Sequence, residues 1–468
     1  MDNNKSLSLN VTQDLIVTDP ALKNMIQYVN IGKYNDAIKW IQNKSKEEEQ
    51  VVSRSEKFDA YPADGAVAFH EVLRRVYGWI EQLPIPGFWG DKPPQMLVVE
   101  VAPGVHREIP WGRIAVPNID GEMHLGAVNE HGVWKFQITG TVKKKHVHLV
   151  NGLCEQTRQH LREHSIYRGQ PVKLEWVEED ATMFTPGSEG FDTPRFMPPT
   201  GLWKGDLVLP RFTYEEINAT IFSLIENSNR ARVMGVPTKR LVLAAGPYGT
   251  GKTLTATITA ELCRKHKRTF IYLRDVEHLA DAIYFAQHYA PACVFAEDID
   301  RVKDVDAIDK ISNTIDGVDT KQMDVLFILT TNHVDQIPKK FLRSGRSDMI
   351  IEFTPPDAEA AGRLIMKYSE GTRDDTVTIE DAVEIGADLA SVAMIPASIR
   401  EVVERSKLFA LAYDRHFISK VDLERAAHGV KKQCEMLNEK RPATLPAHLE
   451  EVGTIVRNVN SKNAVARN

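Results

Sequence analysis

Cysteine is scarce: Cys154, Cys263, Cys293 and Cys434 are the only four among 468 residues, far apart and without metal-ligand spacing. That excludes a disulfide framework and points to free thiols in a reducing compartment. Long apolar runs are missing too. The strand-sized stretch at residues 325–329 falls far short of a membrane span. The opening Met1-Asp2-Asn3-Asn4-Lys5 is polar, so no signal peptide is expected. Neither charge dominates: 58 Lys plus Arg face 64 Asp plus Glu, a net charge of −6. This mildly acidic balance argues against a protein built to coat nucleic acid. The expectation is a cytoplasmic protein with no membrane span.

Hydrophobic residues make up 43% and charged residues 26%, the balance of a globular chain, and 468 residues are too many for one compact core. Residues 1–55 have apolar positions mostly three or four apart and read as a helical segment. Residues 56–180 read as a separate α+β domain. In it, an amphipathic helix at 66–83 precedes strands at 95–101, 134–139, 147–150 and 172–177 and a helix at 151–164. Residues 181–211 are rich in Pro and Gly and read as a linker. From 212 to 355 strands alternate with helices, at 241–245, 269–273, 293–296, 325–330 and 349–353, which predicts a parallel-sheet α/β domain. Residues 356–437 read as four helices, and 438–468 as a tail.

The strand at 241–245 runs into Gly246-Pro247-Tyr248-Gly249-Thr250-Gly251-Lys252-Thr253-Leu254, and a helical pattern follows. This is a phosphate-binding loop between the strand and helix that it requires. Its glycines let successive N–H groups face inward on phosphate oxygens, and the helix N-terminus adds partial positive charge. Lys252 supplies a cation for the β- and γ-phosphates and Thr253 a hydroxyl for Mg²⁺. The chain is therefore expected to bind a nucleoside triphosphate with Mg²⁺.

Three further elements supply chemistry. The apolar strand at 293–296 ends in Glu297-Asp298-Ile299-Asp300; placed beside the phosphate-loop strand, one carboxylate would hold the Mg²⁺ hydration shell and the other take a proton from water. The strand at 325–330 ends near Asn332, which could orient the attacking water. Arg343 and Arg346 are three apart at a helix end, where planar guanidinium groups could reach a phosphate outside their own subunit.

In order and spacing these elements resemble the AAA ATPases, over about residues 212–435. The resemblance implies an α/β ATPase domain with a helical lid. It also implies a homo-oligomeric ring, usually a hexamer, with ATP as the nucleotide at each subunit interface. It carries Gly246, Lys252 and Thr253 over to phosphate and Mg²⁺ binding, Asn332 to the first sensor, and Arg343 with Arg346 to the arginine fingers. Three departures stand out. The acids read Glu297 then Asp298, where most AAA proteins have Asp then Glu. Asp298 thus falls at the position of the catalytic base, shorter by ~1.5 Å. The segment 270–297 is shorter by about a dozen residues than usual and lacks the aromatic-apolar-Gly pore loop. Arg400, in Ile395-Pro396-Ala397-Ser398-Ile399-Arg400, is displaced from the second-sensor position. The acid order, the short segment and Thr330-Thr331-Asn332-His333-Val334-Asp335 look most like the branch of the mitochondrial Rieske-protein translocase and its soluble bacterial relatives.

Other signals carry less. His160 and His164 match H-x-x-E-H, but the helix ends just after them and no third acidic ligand is identifiable, so they read as surface residues. Lys143-Lys144-Lys145-His146 lacks interleaved aromatics and reads as a solvated hairpin. The expected function is an ATP-hydrolysing protein-remodelling machine that takes a client or adaptor on residues 1–180. A nucleic-acid-associated loader and a nucleotide-gated scaffold with weak turnover stand as alternatives.

Overall fold

The computed structural model describes residues 31–87, 90–130, 132–177, 190–302, 324–337 and 349–438. The chain forms two compact units. One runs to Glu130 and includes Trp134–Ile166; the other lies mainly from Tyr167 onward.

The first unit is an antiparallel sheet with helices. Helix α1 (Ile31–Glu48) leads to β1 (Val51–Lys57), α2 (Pro62–Tyr77), β2 (Glu81–Gln82), β3 (Gln95–Ala102), β4 (Val105–Ala115), β5 (Gly121–Glu130), β6 (Val133–Lys143) and α3 (Val147–His164). The strands lie in the order β1-β6-β5-β4-β2, with β3 also on β4. Helix α2 begins at a Pro, which has no N–H to leave unsatisfied, and stops at Gly78 in a positive-φ conformation. Its buried face meets an aromatic cluster in which the rings of Phe58, Phe69 and Trp111 lie 5.4–6.4 Å from that of Phe136. The buried Asp64 carboxylate accepts from Ser165 Oγ at 2.7 Å and Ile166 N at 3.0 Å, tying the end of α3 to the start of α2.

Two readings of this region are corrected. Residues 147–150 are the first turn of α3, not a strand; four apolar or aromatic positions in a row do not separate the two periods. Lys143-Lys144-Lys145-His146 is the end of β6 and a 3₁₀ turn rather than a hairpin. Acids meet the charge of this run: Lys143 pairs with Glu49 and Asp120, Lys145 with Glu49, and Lys144 with Glu47.

The second unit holds a seven-stranded sheet. Its strands are β7 (Pro171–Leu174), β10 (Arg195–Phe196), β11 (Arg240–Ala245), β12 (Thr269–Leu273), β13 (Ala292–Ala296), β14 (Val325–Thr331) and β15 (Met349–Glu352); β8 (Trp176–Val177) and β9 (Gly190–Phe191) form a separate pair. The order is β10-β7-β12-β13-β14-β11-β15, parallel except for β10. Every residue of β13 and β14 is buried, which is why both read as unbroken apolar runs rather than alternating ones. Strand β7 lies in the span read as the α+β domain, yet it pairs with β12 in register Phe270↔Pro171 to Leu273↔Leu174. Four residues carry no sign of which sheet they will join.

Helices α4 (Arg211–Ile217), α5 (Ser223–Glu226), α6 (Ser228–Val233), α7 (Lys252–Lys265) and α8 (Leu279–His288) accompany this sheet. Four lid helices follow: α9 (Ala358–Tyr368), α10 (Ile379–Ala390), α11 (Pro396–Ala412) and α12 (Lys420–Asn438). Asp357 caps α9, and a Thr378–Asp381 capping box starts α10. Helices α9 and α10 approach so closely that a Cβ on Gly386 would lie 2.6 Å from the Ala358 carbonyl oxygen. In the span read as a linker, Asp206 and Leu209 are held by the lid: Lys367 Nζ donates to Asp206 Oδ1 at 2.6 Å and Arg363 Nη2 to Leu209 O at 2.9 Å.

Candidate nucleotide-hydrolysis site

The site forms at the carboxyl ends of β11, β13 and β14, where open parallel sheets bind ligands. The sequence reading set the acidic strand beside the phosphate-loop strand. The structure corrects this: β14 lies between β11 and β13. Residues after β14 therefore stand midway between the phosphate loop and the acids.

The loop is sutured to both neighbouring strands. Gly246 N donates to Thr331 O at 3.1 Å, and Phe353 N donates to Ala245 O at 2.6 Å. A Cβ on Gly246 would sit 2.1 Å from the Phe353 carbonyl oxygen, so only glycine fits. Gly249 and Gly251 have φ of 76° and 105°, a region that side chains disfavour. Between them Thr250 Oγ1 donates to Pro247 O at 2.8 Å, and Tyr248 is exposed. Helix α7 starts at Lys252 with Gly251 as its N-cap and no side-chain cap, and it continues through Thr253 and Leu254. Its first N–H groups and the positive end of its dipole are the anion-binding features the motif predicts.

Lys252 is 8% exposed, and its Nζ donates to Gly246 O, Pro247 O and Asn332 Oδ1 at 2.7, 2.8 and 2.9 Å. Burial pushes its pKa below the usual lysine value, against the opposing pull of Asp298, Asp300 and Glu297. Asn332 Nδ2 in turn donates to Asp298 Oδ1 at 2.7 Å. The amide orientation follows from the partners: a lysine only donates and a carboxylate only accepts.

The two acids point to different partners. Glu297 Oε1 accepts from Thr253 Oγ1 at 2.6 Å and its Oε2 from Tyr272 OH at 2.9 Å. Asp298 adopts a left-handed conformation with φ 54° and ψ 55°. Its N donates to Thr330 Oγ1 at 3.0 Å, and its carboxylate also pairs with Arg301. Asp300 accepts from Thr331 Oγ1 and Asn332 N. A hydroxyl and a carboxylate side by side are hard oxygen donors of the kind Mg²⁺ takes, so Thr253 and Glu297 fit that ion.

Tyr272 and Arg301 were not singled out from sequence. A tyrosine at the end of a buried strand was the available signal, since its hydroxyl needs a partner. An open cleft of about 660 Å³ adjoins the acids, with Trp176, Tyr272, Arg274, His278, Glu297 and Asp298 in its lining. Arg343 and Arg346 lie outside the described residues. Arg400 is exposed on α11 with its guanidinium 5.5 Å from the Tyr368 ring centre. From the lid it is Ile395 that approaches the phosphate loop, its Cδ1 3.0 Å from where a Cβ of Gly249 would lie. The rings of His160 and His164 lie with centres 5.0 Å apart and planes tilted by 50°, and no group of three metal-capable side chains occurs among the described residues.

Residues 242–355 match the ATPase family associated with various cellular activities (AAA). Similar curated proteins include the 26S proteasome regulatory subunit 4 homolog of Schizosaccharomyces pombe, 29% identical, with 42% of this chain and 48% of that protein covered. The subunit 8 homolog of Encephalitozoon cuniculi is 28% identical, with 48% and 61% covered. The subunit 6B homolog of Dictyostelium discoideum is 28% identical, with 48% and 60% covered. The chain thus spans between 48% and 61% of the length of these relatives. They are proteasome regulatory subunits, so the comparisons do not bear out the Rieske-translocase branch that the acid order suggested. The site geometry and the family match agree: the chain carries an AAA ATPase domain.

Proposed function

We propose that the protein hydrolyses ATP with Mg²⁺ and uses the turnover to remodel other proteins, working as a homo-oligomeric ring. The network Lys252–Asn332–Asp298 beside Thr253–Glu297 carries the reading. The loop N–H groups and Lys252 bind the phosphates. Thr253 and Glu297 hold Mg²⁺, which when bound acts as a Lewis acid toward phosphate oxygens. Asn332 orients the attacking water, and Asp298 accepts its proton. Arg343 and Arg346 serve the ATP of the neighbouring subunit, which makes hydrolysis depend on assembly. The four free thiols fit a reducing compartment such as the cytoplasm. No helix among the described residues is long and apolar enough to cross a membrane.

Residues 1–180 supply the client or adaptor surface in this reading. Between β12 and β13 the chain holds only a 3₁₀ turn (Val276–His278) and α8, with Phe285 buried in it. With no aromatic-apolar-Gly motif in that connection, folded or partly folded clients are favoured over threaded ones. A tightly folded domain grafted onto a client should still be processed; complete blockage counts against this.

ATPase rate measured against protein concentration, with mass determined at each point, tests the central claim. Specific activity should rise with assembly, and Arg346→Ala should assemble but stay inactive. Flat activity and a normal mutant would remove the interface-hydrolysis reading.

A further inference from the structure

The carboxylate of Glu297 is held at both oxygens, and the two donors come from different elements. Thr253 sits in the first turn of α7, and Tyr272 near the end of β12. Strand β12 neighbours β13, and the register pairs Tyr272 with Phe295, two residues before Glu297. The Tyr272 ring lies nearly parallel to that of Phe295, with centres 6.0 Å apart and planes 13° from each other. Stacking therefore fixes the ring, and the ring fixes where its hydroxyl points. That hydroxyl meets Glu297 Oε2 at 2.9 Å, on the side away from Thr253.

We propose that Tyr272 is a positioning residue for Mg²⁺-nucleotide binding, acting through Glu297 and suited to a glutamate at that place. The proposal rests on the assignment of Glu297 and Thr253 to the ion. A hydroxyl can give its proton to one partner and its lone pair to another. Thr253 can thus keep its hydrogen bond to Glu297 Oε1 while its oxygen serves as an ion ligand. One hydrogen bond still leaves a glutamate free to rotate about its terminal torsion. The second bond, from Tyr272, removes that freedom. An aspartate at 297 would be shorter by one carbon–carbon bond, ~1.5 Å, and would lose the reach to Tyr272. The tyrosine on β12 and the longer acid on β13 therefore form a matched pair.

The test uses the full chain and a fluorescent ADP analogue, titrated with Mg²⁺ and separately bound in excess EDTA. Tyr272→Phe keeps the ring stacked on Phe295 and removes only the hydroxyl. It should weaken the apparent Mg²⁺ affinity by about tenfold, the usual effect of losing a support for a metal ligand. Nucleotide affinity in EDTA and thermal unfolding without nucleotide should stay unchanged. Glu297→Asp should show a similar weakening, and adding Tyr272→Phe to it should cost nothing further. An unchanged Mg²⁺ dependence in Tyr272→Phe, or an equal loss in both backgrounds, overturns the proposal. Glu297→Gln separates the two layers. If it abolishes the Mg²⁺ effect while Tyr272→Phe does not, only the tyrosine's role falls. If it too changes nothing, the assignment of Glu297 to the ion falls as well.

Discussion

Asn332 accepts a hydrogen bond from Lys252 at 2.9 Å while its amide nitrogen is spent on Asp298 at 2.7 Å. One side chain from the end of β14 thereby couples the phosphate-binding cation to the acid proposed as the base. The coupling exists because β14 is inserted between β11 and β13.

Asn332→Ala should leave nucleotide affinity within about threefold and lower kcat by about 10²-fold, the scale of a lost positioning or proton-transfer contact. Asn332→Asp should be worse, since it sets a second carboxylate against Asp298. Steady-state ATPase rates with parallel nucleotide titrations check both. A kcat near wild type in Asn332→Ala would remove Asn332 from the reaction.

Asp298→Asn keeps the shape of the side chain and removes its ability to take a proton. With Asp298 as general base, kcat should fall by about 10²–10⁴-fold while Mg²⁺-dependent nucleotide binding persists. Single-turnover hydrolysis is the readout. A barely changed rate would favour a nucleotide-gated scaffold.

Gly246→Ala would place a methyl group 2.1 Å from the Phe353 carbonyl oxygen. Backbone on both sides must then move, at a cost of about 1–3 kcal/mol. A lower urea midpoint together with lost nucleotide binding is expected. Retained binding at wild-type stability would mean that the loop path differs from the one described.

The lid predicts a pH effect. The Asp422 side chain is 1% exposed and accepts a two-pronged bond from Arg415 at 2.5 and 2.6 Å, plus bonds from Ser419. The Arg415 guanidinium, against the opposing effect of burial, holds the carboxyl down to about 2. A carboxyl lowered in the folded state adds stability that is present above its unfolded pKa of about 4 and is lost as pH falls toward 2. Because Arg415 is 37% exposed, solvent screens part of that contribution. Asp422→Asn should lower the urea midpoint at pH 7, and the gap to wild type should narrow at pH 3. A constant gap would mean that the ion pair does not set it.

The parallel sheet and lid were legible in the sequence because each local signal agreed with the fold. Strands at 241–245, 269–273 and 293–296 were read to within a residue of β11, β12 and β13, since fully buried strands are short apolar runs closed by polar residues. In the first unit β1, β2, β4 and β5 went unread. There polar residues come in runs, such as His106-Arg107-Glu108 and residues 53–57, that break a two-residue alternation, and Gly112 and Gly121 interrupt it further. The helix at 66–83 was placed late, because Pro62 and Gly78 mark its true ends. Trp111 is buried in the core while Trp79 is 64% exposed, a difference that composition cannot express.

By itself the sequence determined the phosphate loop with Lys252 and Thr253, the pair Glu297 and Asp298, and the reading of an ATPase. These are local arrangements: glycines where the backbone must turn left or touch a neighbour, and polar residues at the ends of apolar strands. Tertiary structure alone decided what faces what. Strand order put Asn332 between Lys252 and Asp298, brought Tyr272 from β12 onto Glu297, and drew β7 into the sheet that carries the phosphate loop. Hydrogen bonds across a sheet join residues tens of positions apart, and no short-range pattern encodes which strands become neighbours.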